Sequence, residues 1–295
     1  MVESCLLTII TPTFNRRYTI DEAYQSLKNQ TNQNFQWLVI DDGSTDGTDD
    51  WFSNLKEKTE FQVEYHYKKN GGKHTALNFS FPYIRGRWVL ILDSDDYLIP
   101  EAVEIVSRDC ERFENDNVGY ITYQKGYSVD DSLSNNAPYD YYQGDFDFVV
   151  NRRAGGDCCE VFRTTFLSQF PFPQFKGEKY MPEGWFWLNI AQKTPVIFRN
   201  TVIYICQYLT DGLSKAGRKL RLMSPNGMMM NCKAYFRPGV GLQLQLKEML
   251  LFVVYAKRAD LSLQKTLRAS GRSLACLFVY LPGLFLYHYW CRKYL

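Results

Sequence analysis

Three short apolar runs set the pattern of this chain: Leu6-Leu7-Thr8-Ile9-Ile10, Trp37-Leu38-Val39-Ile40 and Val89-Leu90-Ile91-Leu92. Each is too short for a helix, carries β-branched members and gives way to polar or turn-forming residues, the signature of a buried strand. Pro12 is expected to stop the first run, whereas the second and third run straight into acids, Asp41-Asp42 and Asp93-Ser94-Asp95-Asp96. Helical spacing fills the gaps between them. Ile20, Ala23, Tyr24 and Leu27 form a core-facing stripe behind a capping box of Thr19 and Glu22. A second helix is expected from Thr48 with Trp51, Phe52 and Leu55 inward, and a third from the turn Asn70-Gly71-Gly72-Lys73 through Leu77. Val63 to Tyr67 alternates and reads as a strand near a sheet edge. Strands alternating with helices predict an α/β fold, a Rossmann-like, mostly parallel sheet flanked by helices.

Past a helix from Pro100, strands are expected at Val118–Tyr123, Cys159–Arg163 and Val196–Cys206, with a helix from Pro182 through Ala191. Residues 126–156 are polar and turn-rich and read as loop. From about residue 217 the pattern changes to helices rich in Met, Leu and aromatics. The expected organisation is a domain over 1–216, with halves at about 1–105 and 106–216, and a helical extension over 217–295. A length of 295 residues suits one large domain with an extension, or two domains.

Composition narrows the classes. An apolar fraction of 45% supplies a sizeable core, and a net charge of +2 argues against a nucleic-acid binder. The aromatic fraction, 16%, suits either a carbohydrate-facing surface or a large core. The eight cysteines include no C-x-x-C pair and suggest no zinc site. With the amino terminus passing directly into a strand, the expected setting is reducing and cytoplasmic.

Strands that end in acids place those acids at the sheet's carboxyl edge, where open α/β sheets bind ligands. Asp93 and Asp95 are one residue apart and offer oxygens to a hard cation such as Mg2+ or Mn2+. The competing reading is that these acids cap the next helix, where Pro100 suits the first turn and Glu101 the dipole. The turn Asp42-Gly43-Ser44-Thr45-Asp46-Gly47 imitates a calcium loop, but position 12 is Ser53 and the entering segment is a strand. It reads better as a strand-end turn whose acid meets a nucleoside, or as a purely structural turn.

The order Ile9-Ile10-Thr11-Pro12-Thr13-Phe14-Asn15, Val39-Ile40-Asp41-Asp42-Gly43-Ser44-Thr45-Asp46 and Asp93-Ser94-Asp95-Asp96 resembles the family-2 glycosyltransferases of GT-A fold. The resemblance covers about residues 5–105. It extends more loosely over 155–215, where Gly177–Glu183 and Tyr208–Ser214 look like bacterial members that build surface polysaccharides. It implies a nucleotide site in which Phe14, beside Pro12, stacks on the base and Asp42 meets the uracil edge. Asp93 and Ser94 then lie near the ribose, and Asp95 ligates Mn2+ or Mg2+ bridging the diphosphate. Lys73 reaches the same phosphates or is simply solvated, and its neighbour His74 is open between the two roles. The family's general base is usually the second acid of a pair before a helix. Here that place reads Pro182-Glu183-Gly184, so Glu183 is the candidate base and Glu178 the reserve, although Glu183 also suits a helix start.

The resemblance thus implies an inverting, metal-dependent transfer of a sugar from a nucleotide-sugar donor, UDP-linked, to a glycan or lipid-linked acceptor. The alternatives are a nucleotidyltransferase, which would want a Gly-rich loop after the first strand, and an inactive sugar-binding protein on the same fold. Leu274 to Trp290 is nearly uncharged between Arg268, Arg272 and Arg292, Lys293. It is close to the ~17-residue minimum for spanning a bilayer. Pro282-Gly283 in its middle favours a bent interfacial segment over a buried or a spanning one. That places the protein on the inner face of the cell membrane.

Overall fold

A computed structural model describes residues 6–55, 61–151, 154, 156–207 and 213–295, which divide into two compact units. The first comprises the chain to Pro171 together with Ile190–Gln207; the second comprises Phe172–Asn189 and the residues after Gln207. The helical extension is therefore joined by 172–189, a segment that the sequence pattern assigned to the first domain.

The first unit opens with β1 (Leu7–Thr13), α1 (Ile20–Lys28), β2 (Phe35–Asp41), α2 (Thr48–Leu55), β3 (Gln62–Tyr67), α3 (Lys73–Ser80) and β4 (Trp88–Ile91). There follow β5 (Tyr97–Leu98), α4 (Ala102–Arg112), β6 (Tyr120–Ser128), β7 (Asp131–Ser132), β8 (Tyr142–Gly144), α5 (Phe146–Val150), β9 (Cys158–Arg163) and α6 (Thr164–Leu167). α7 (Gly184–Ala191), which belongs to the second unit as far as Asn189, then precedes β10 (Val196–Ile205) of the first. The main path of the sheet runs β3-β2-β1-β4-β9-β6-β10-β5. Its first four strands are parallel, with β3 at the edge as its alternation predicts. Beyond them the sheet is mixed, because β9 lies antiparallel to both β4 and β6.

Pro12 does not stop β1. Ile10 O accepts from Leu92 N–H at 2.9 Å and Thr13 O from Asp42 N–H at 2.8 Å, so alternate residues face β4 and β2. By that parity Pro12 faces the β4 side, where pairing has ended at Ile10–Ile91. Its missing N–H costs no ladder bond there. The Thr19 capping box does not form either. Thr19 is already helical and its hydroxyl turns back to Arg16 O, so it makes no side-chain cap to α1.

Part of the aromatic content is core. Tyr24, Trp37, Phe52 and Phe61 pack together in the first unit, with Trp37 Nε1 donating to Thr11 Oγ1 at 2.9 Å. Gly86 lets two main chains meet, since a Cβ there would lie 2.4 Å from Thr8 N. The stretch 126–156 is not featureless loop. It holds β7, β8 and α5, the last capped by Asp145, whose carboxylate accepts from Phe148 N–H.

In the second unit α8 (Leu213–Leu222), α9 (Pro225–Ala234), α10 (Leu242–Arg258), α11 (Leu263–Ser270) and α12 (Ser273–Tyr294) build their own core. Leu222, Cys232, Phe252, Tyr255 and Trp290 are among its buried members. α12 is continuous through Pro282, so the break expected at Pro282-Gly283 does not end the helix. Packing explains this: Gly283 seats the helix on α10, where a Cβ would lie 2.6 Å from Val253 Cγ1. Among the described residues, α12 is the helix long and apolar enough to cross a membrane, and 22% of its apolar window is buried. The described cysteines are free thiols.

Candidate functional site

β2, β1 and β4 are adjacent and parallel, so the loops leaving them gather at one edge of the first unit. After β1, Phe14 stands 46% exposed and Asn15 takes a left-handed φ of 51°. Asn tolerates that conformation better than most residues. Here it is held on both sides: Asn15 N–H donates to Ser44 Oγ at 2.8 Å, and Asn15 Oδ1 accepts from Thr45 N–H at 2.8 Å. Arg17 N–H donates to Asp46 Oδ2 at 2.9 Å, so the loops after β1 and β2 are laced together. Both carboxylate oxygens of Asp46 have protein donors, as Thr48 Oγ1 donates to Oδ1 at 2.6 Å.

Asp42 is buried. Its Oδ1 accepts from Lys68 Nζ at 2.5 Å and Gly71 N–H at 2.9 Å, and its Oδ2 from Gly72 N–H at 2.6 Å. Asp42 thus has a structural role at the edge where the uracil contact is expected. Asp42 shapes the Gly-rich turn, where Gly72 holds a φ of 95° that a side chain would strain. That turn delivers Lys73 at the start of α3, and Lys73 Nζ lies 2.5 Å from Asp93 Oδ1.

The acid turn after β4 is held from β10. Tyr204, fully buried, accepts from Asp93 N–H at 3.0 Å and donates to Asp96 Oδ2 at 2.8 Å. Gln207 N–H donates to Asp96 Oδ1 at 2.8 Å. Lys125, from β6, lies 4.2 Å from the Tyr204 ring centroid and 3.7 Å from Asp157. Asp96, Lys125, Tyr204 and Lys68 were not singled out by sequence; only Asp96, inside the acidic run, carried a local signal.

These groups push each other's protonation apart. Burial would raise the Asp93 carboxyl, but Lys73 and Lys125 outweigh it and hold Asp93 below the usual range. Asp95 is raised by burial and by the Asp93 charge, against the opposing pull of Arg16 and Lys73. Asp96 is raised to about 6 by burial and Asp93. Burial would lower the Lys125 ammonium, yet Asp157 and Asp93 raise it well above its ordinary value. A pair of neighbouring carboxylates, one disfavoured by the other's charge, is the donor chemistry that a hard divalent cation relieves. Among the described residues no group of three or more His, Cys, Asp or Glu side chains is arranged to cage a metal. A cation at Asp93 and Asp95 would complete its shell with oxygens from a ligand and from water.

The remaining expected residues divide. Pro12 and Ser94 are buried, so neither side chain offers surface to a nucleotide, and His74 is buried in α3. In the second unit Glu178 anchors α9: its Oε1 accepts from Asn226 N–H at 2.9 Å and its Oε2 from Gly227 N–H at 2.8 Å. Asn226 Nδ2 adds a third bond at 2.7 Å, so the reserve base is a helix anchor. Glu183 is half-buried just before α7, its carbonyl accepting from Phe186 N–H at 2.8 Å. Tyr208–Gly212 of the second resemblance motif lie outside the described residues.

The sequence model of the family described as "Glycosyl transferase family 2" matches residues 8–169. Uncharacterized glycosyltransferases of three Rickettsia species match 34–40% of the chain at 30–35% identity, and the chain spans only 16–19% of their length. The GalNAc(5)-diNAcBac-PP-undecaprenol beta-1,3-glucosyltransferase of Campylobacter jejuni is 26% identical over 236 residues, 73% of this chain and 71% of that protein. Among solved structures, S. aureus TarS 1-349 in complex with UDP-GlcNAc aligns with a TM-score of 0.56 at 14% identity, covering 96% of this chain and 91% of that one. The mannosyltransferase PcManGT from Pyrobaculum calidifontis, in complex with GDP-Man and Mn2+, aligns with a TM-score of 0.57 at 16% identity, covering 99% and 84%. At such identities the structural likeness is one of fold.

Proposed function

This chain belongs to glycosyl transferase family 2, and we propose that it moves a sugar, with inversion, from a UDP-linked donor to a hydroxyl of a glycan or lipid-linked acceptor in surface polysaccharide synthesis. Its fold is the GT-A fold of that family. The observation that carries the reading is the Asp93–Asp96 turn, facing Lys73 and fixed by Tyr204, at the edge where Phe14 stands exposed. Phe14 offers a ring for the base, and Lys73 a cation for the diphosphate.

Mn2+ or Mg2+ would be held by Asp95 with Asp93, and when bound it offsets charge developing on the departing diphosphate. The acceptor oxygen bonds to the anomeric carbon as the bond from that carbon to the diphosphate oxygen breaks. Glu183 takes the acceptor proton, a role in which a positioned carboxylate contributes ~10²–10⁴-fold. Lys73 is already paired with Asp93 and exchanges that carboxylate for phosphate oxygens when donor arrives.

The Campylobacter relative is named for a PP-undecaprenol-linked glycan, which favours an acceptor at the membrane. The apolar side of α12 favours the same location, at the cytoplasmic face. Calorimetry with UDP-, GDP- and TDP-sugars, with and without Mn2+, tests the core of the reading. UDP-sugars are expected to bind, more tightly with Mn2+. Asp95→Ala is expected to abolish transfer and the metal-dependent part of binding only. Wild-type binding insensitive to both Mn2+ and chelator refutes the metal assignment, and binding of no nucleotide sugar refutes the function.

A further inference from the structure

The chain's net charge of +2 conceals a strong polarisation. Residues 213–295 hold 14 Lys and Arg against two acids, Glu248 and Asp260, a net of +12, so residues 1–212 carry −10. Of those two acids Glu248 is buried. The cations are outward: Arg218, Lys219, Arg221, Lys265, Arg268 and Arg272 are all exposed. In the same unit α12 turns Cys276, Val279, Gly283 and Trp290 inward and leaves Leu274, Leu277, Phe278, Leu281 and Phe285 out. The spacing of that second set follows one helical face. Phe278 is 79% exposed and Phe285 78%, with Arg272 at one end of the stripe and Arg292 and Lys293 at the other.

We infer that the C-terminal helical unit docks on an anionic lipid surface, with α12 lying in the headgroup plane and its Leu274–Phe285 face turned into the lipid. The inference rests on the membrane reading above and adds the lipid charge and the orientation. Two observations set the orientation. The opposite side of α12 is committed to α10, through the close approach at Gly283, so only the Leu274–Phe285 side is left to meet lipid. Pro282 also deprives the Phe278 carbonyl of its ordinary helical donor, which headgroups and water can replace and hydrocarbon cannot. Charge selects the partner. A second copy would bring one +12 region against another, whereas anionic headgroups complement it, at about fivefold in partitioning for each cation near the surface.

Flotation of the full-length protein with phosphatidylcholine vesicles and with vesicles containing phosphatidylglycerol tests this. Binding is expected to be at least tenfold tighter to the second and to fall steeply with added salt. Lys265→Gln, Arg268→Gln and Arg292→Gln combined should remove on the order of a hundredfold of that affinity. Phe278→Ser with Phe285→Ser should remove binding to both vesicles while the circular dichroism spectrum is retained. Equal, salt-insensitive binding to both vesicles overturns the anionic inference and leaves the membrane reading standing. No binding to either, with a dimer that the Phe→Ser pair turns into a monomer, overturns both.

Discussion

Tyr204→Phe tests how the acid turn is held. The change removes one oxygen from a fully buried ring and opens no cavity of consequence. Two partners stay behind: Asp93 N–H, which loses its acceptor at 3.0 Å, and Asp96 Oδ2, which loses its donor at 2.8 Å. Each buried polar group left unpaired costs about 1–3 kcal/mol, so the pair amounts to about 2–6 kcal/mol. In a unit of this size that lowers Tm by about 4–24 °C. The penalty has a sign in pH. Asp96 titrates at about 6, and the Tyr204 hydroxyl favours its ionised form. Below that pH the carboxyl is protonated and needs the donor less, so the loss is larger at pH 8 than at pH 5. The native group holds its proton to a higher pH than an unfolded carboxyl does. Its protonation therefore stabilises the fold at low pH, and this contribution fades as pH rises through 6. Function should follow: UDP affinity in Mn2+ falls about tenfold or more, equivalent to ~1.4 kcal/mol, while affinity in chelator stays within about twofold. Scanning calorimetry at the two pH values and titration of UDP with and without Mn2+ read these effects. A stability loss under about 0.5 kcal/mol at pH 8 would refute the anchoring role. So would equal losses of UDP affinity with and without metal.

Glu183→Gln is expected to keep the UDP-sugar dissociation constant and cut the single-turnover rate by ~10²-fold or more; near-normal turnover removes Glu183 as base. Gly86→Ala forces a Cβ to within 2.4 Å of the Thr8 main-chain nitrogen. It should destabilise the first unit by about 3 kcal/mol in urea, and an unchanged midpoint would show that β1 and the 86 turn can separate. Burial and Glu160 push the Cys158 thiol up to about 12. It should resist iodoacetamide at pH 8 until the protein is unfolded, with a thiolate fraction of about 10⁻⁴; fast labelling of the folded protein contradicts this.

The strands that run into acids were legible because a buried parallel strand needs a continuous apolar run, and that run ends where ligand chemistry begins. Two prolines were misread for one reason. Pro12 and Pro282 are breakers by local rule, yet each falls where its missing N–H leaves the packed neighbour undisturbed: beside the ended β4, and on the outer side of α12. The 126–156 stretch reads as loop because β7 is only two residues long and β8 is made by a distant partner, residues 196–198 of β10. Asp145 capping α5 was the one local clue available. Lys125 and Tyr204 carry no local signal at all, since a lone Lys and a lone Tyr in strands acquire meaning only from the turn they face. The charge polarisation was open to counting, but a whole-chain sum cancelled it. Asp42 shows the opposite limit: its residue type suggests a ligand contact, and only the positions of Gly71 and Gly72 reveal that its oxygens are taken.

The insertion of β9 between β4 and β6 bears on how the chain is made. The quartet β3-β2-β1-β4 is complete once Ile91 has been synthesised, but the open side of β4 is covered only by Val161–Arg163. At ribosomal speeds of ~5–20 residues per second, that delay is roughly 3–14 seconds. Throughout it, Trp88, Val89 and Leu90, wholly buried in the finished sheet, border an exposed strand edge. Such an edge invites pairing with other chains. The nascent protein thus passes through an interval in which its most apolar strand must be shielded, and the risk of misassembly is set by translation speed between residues 91 and 163.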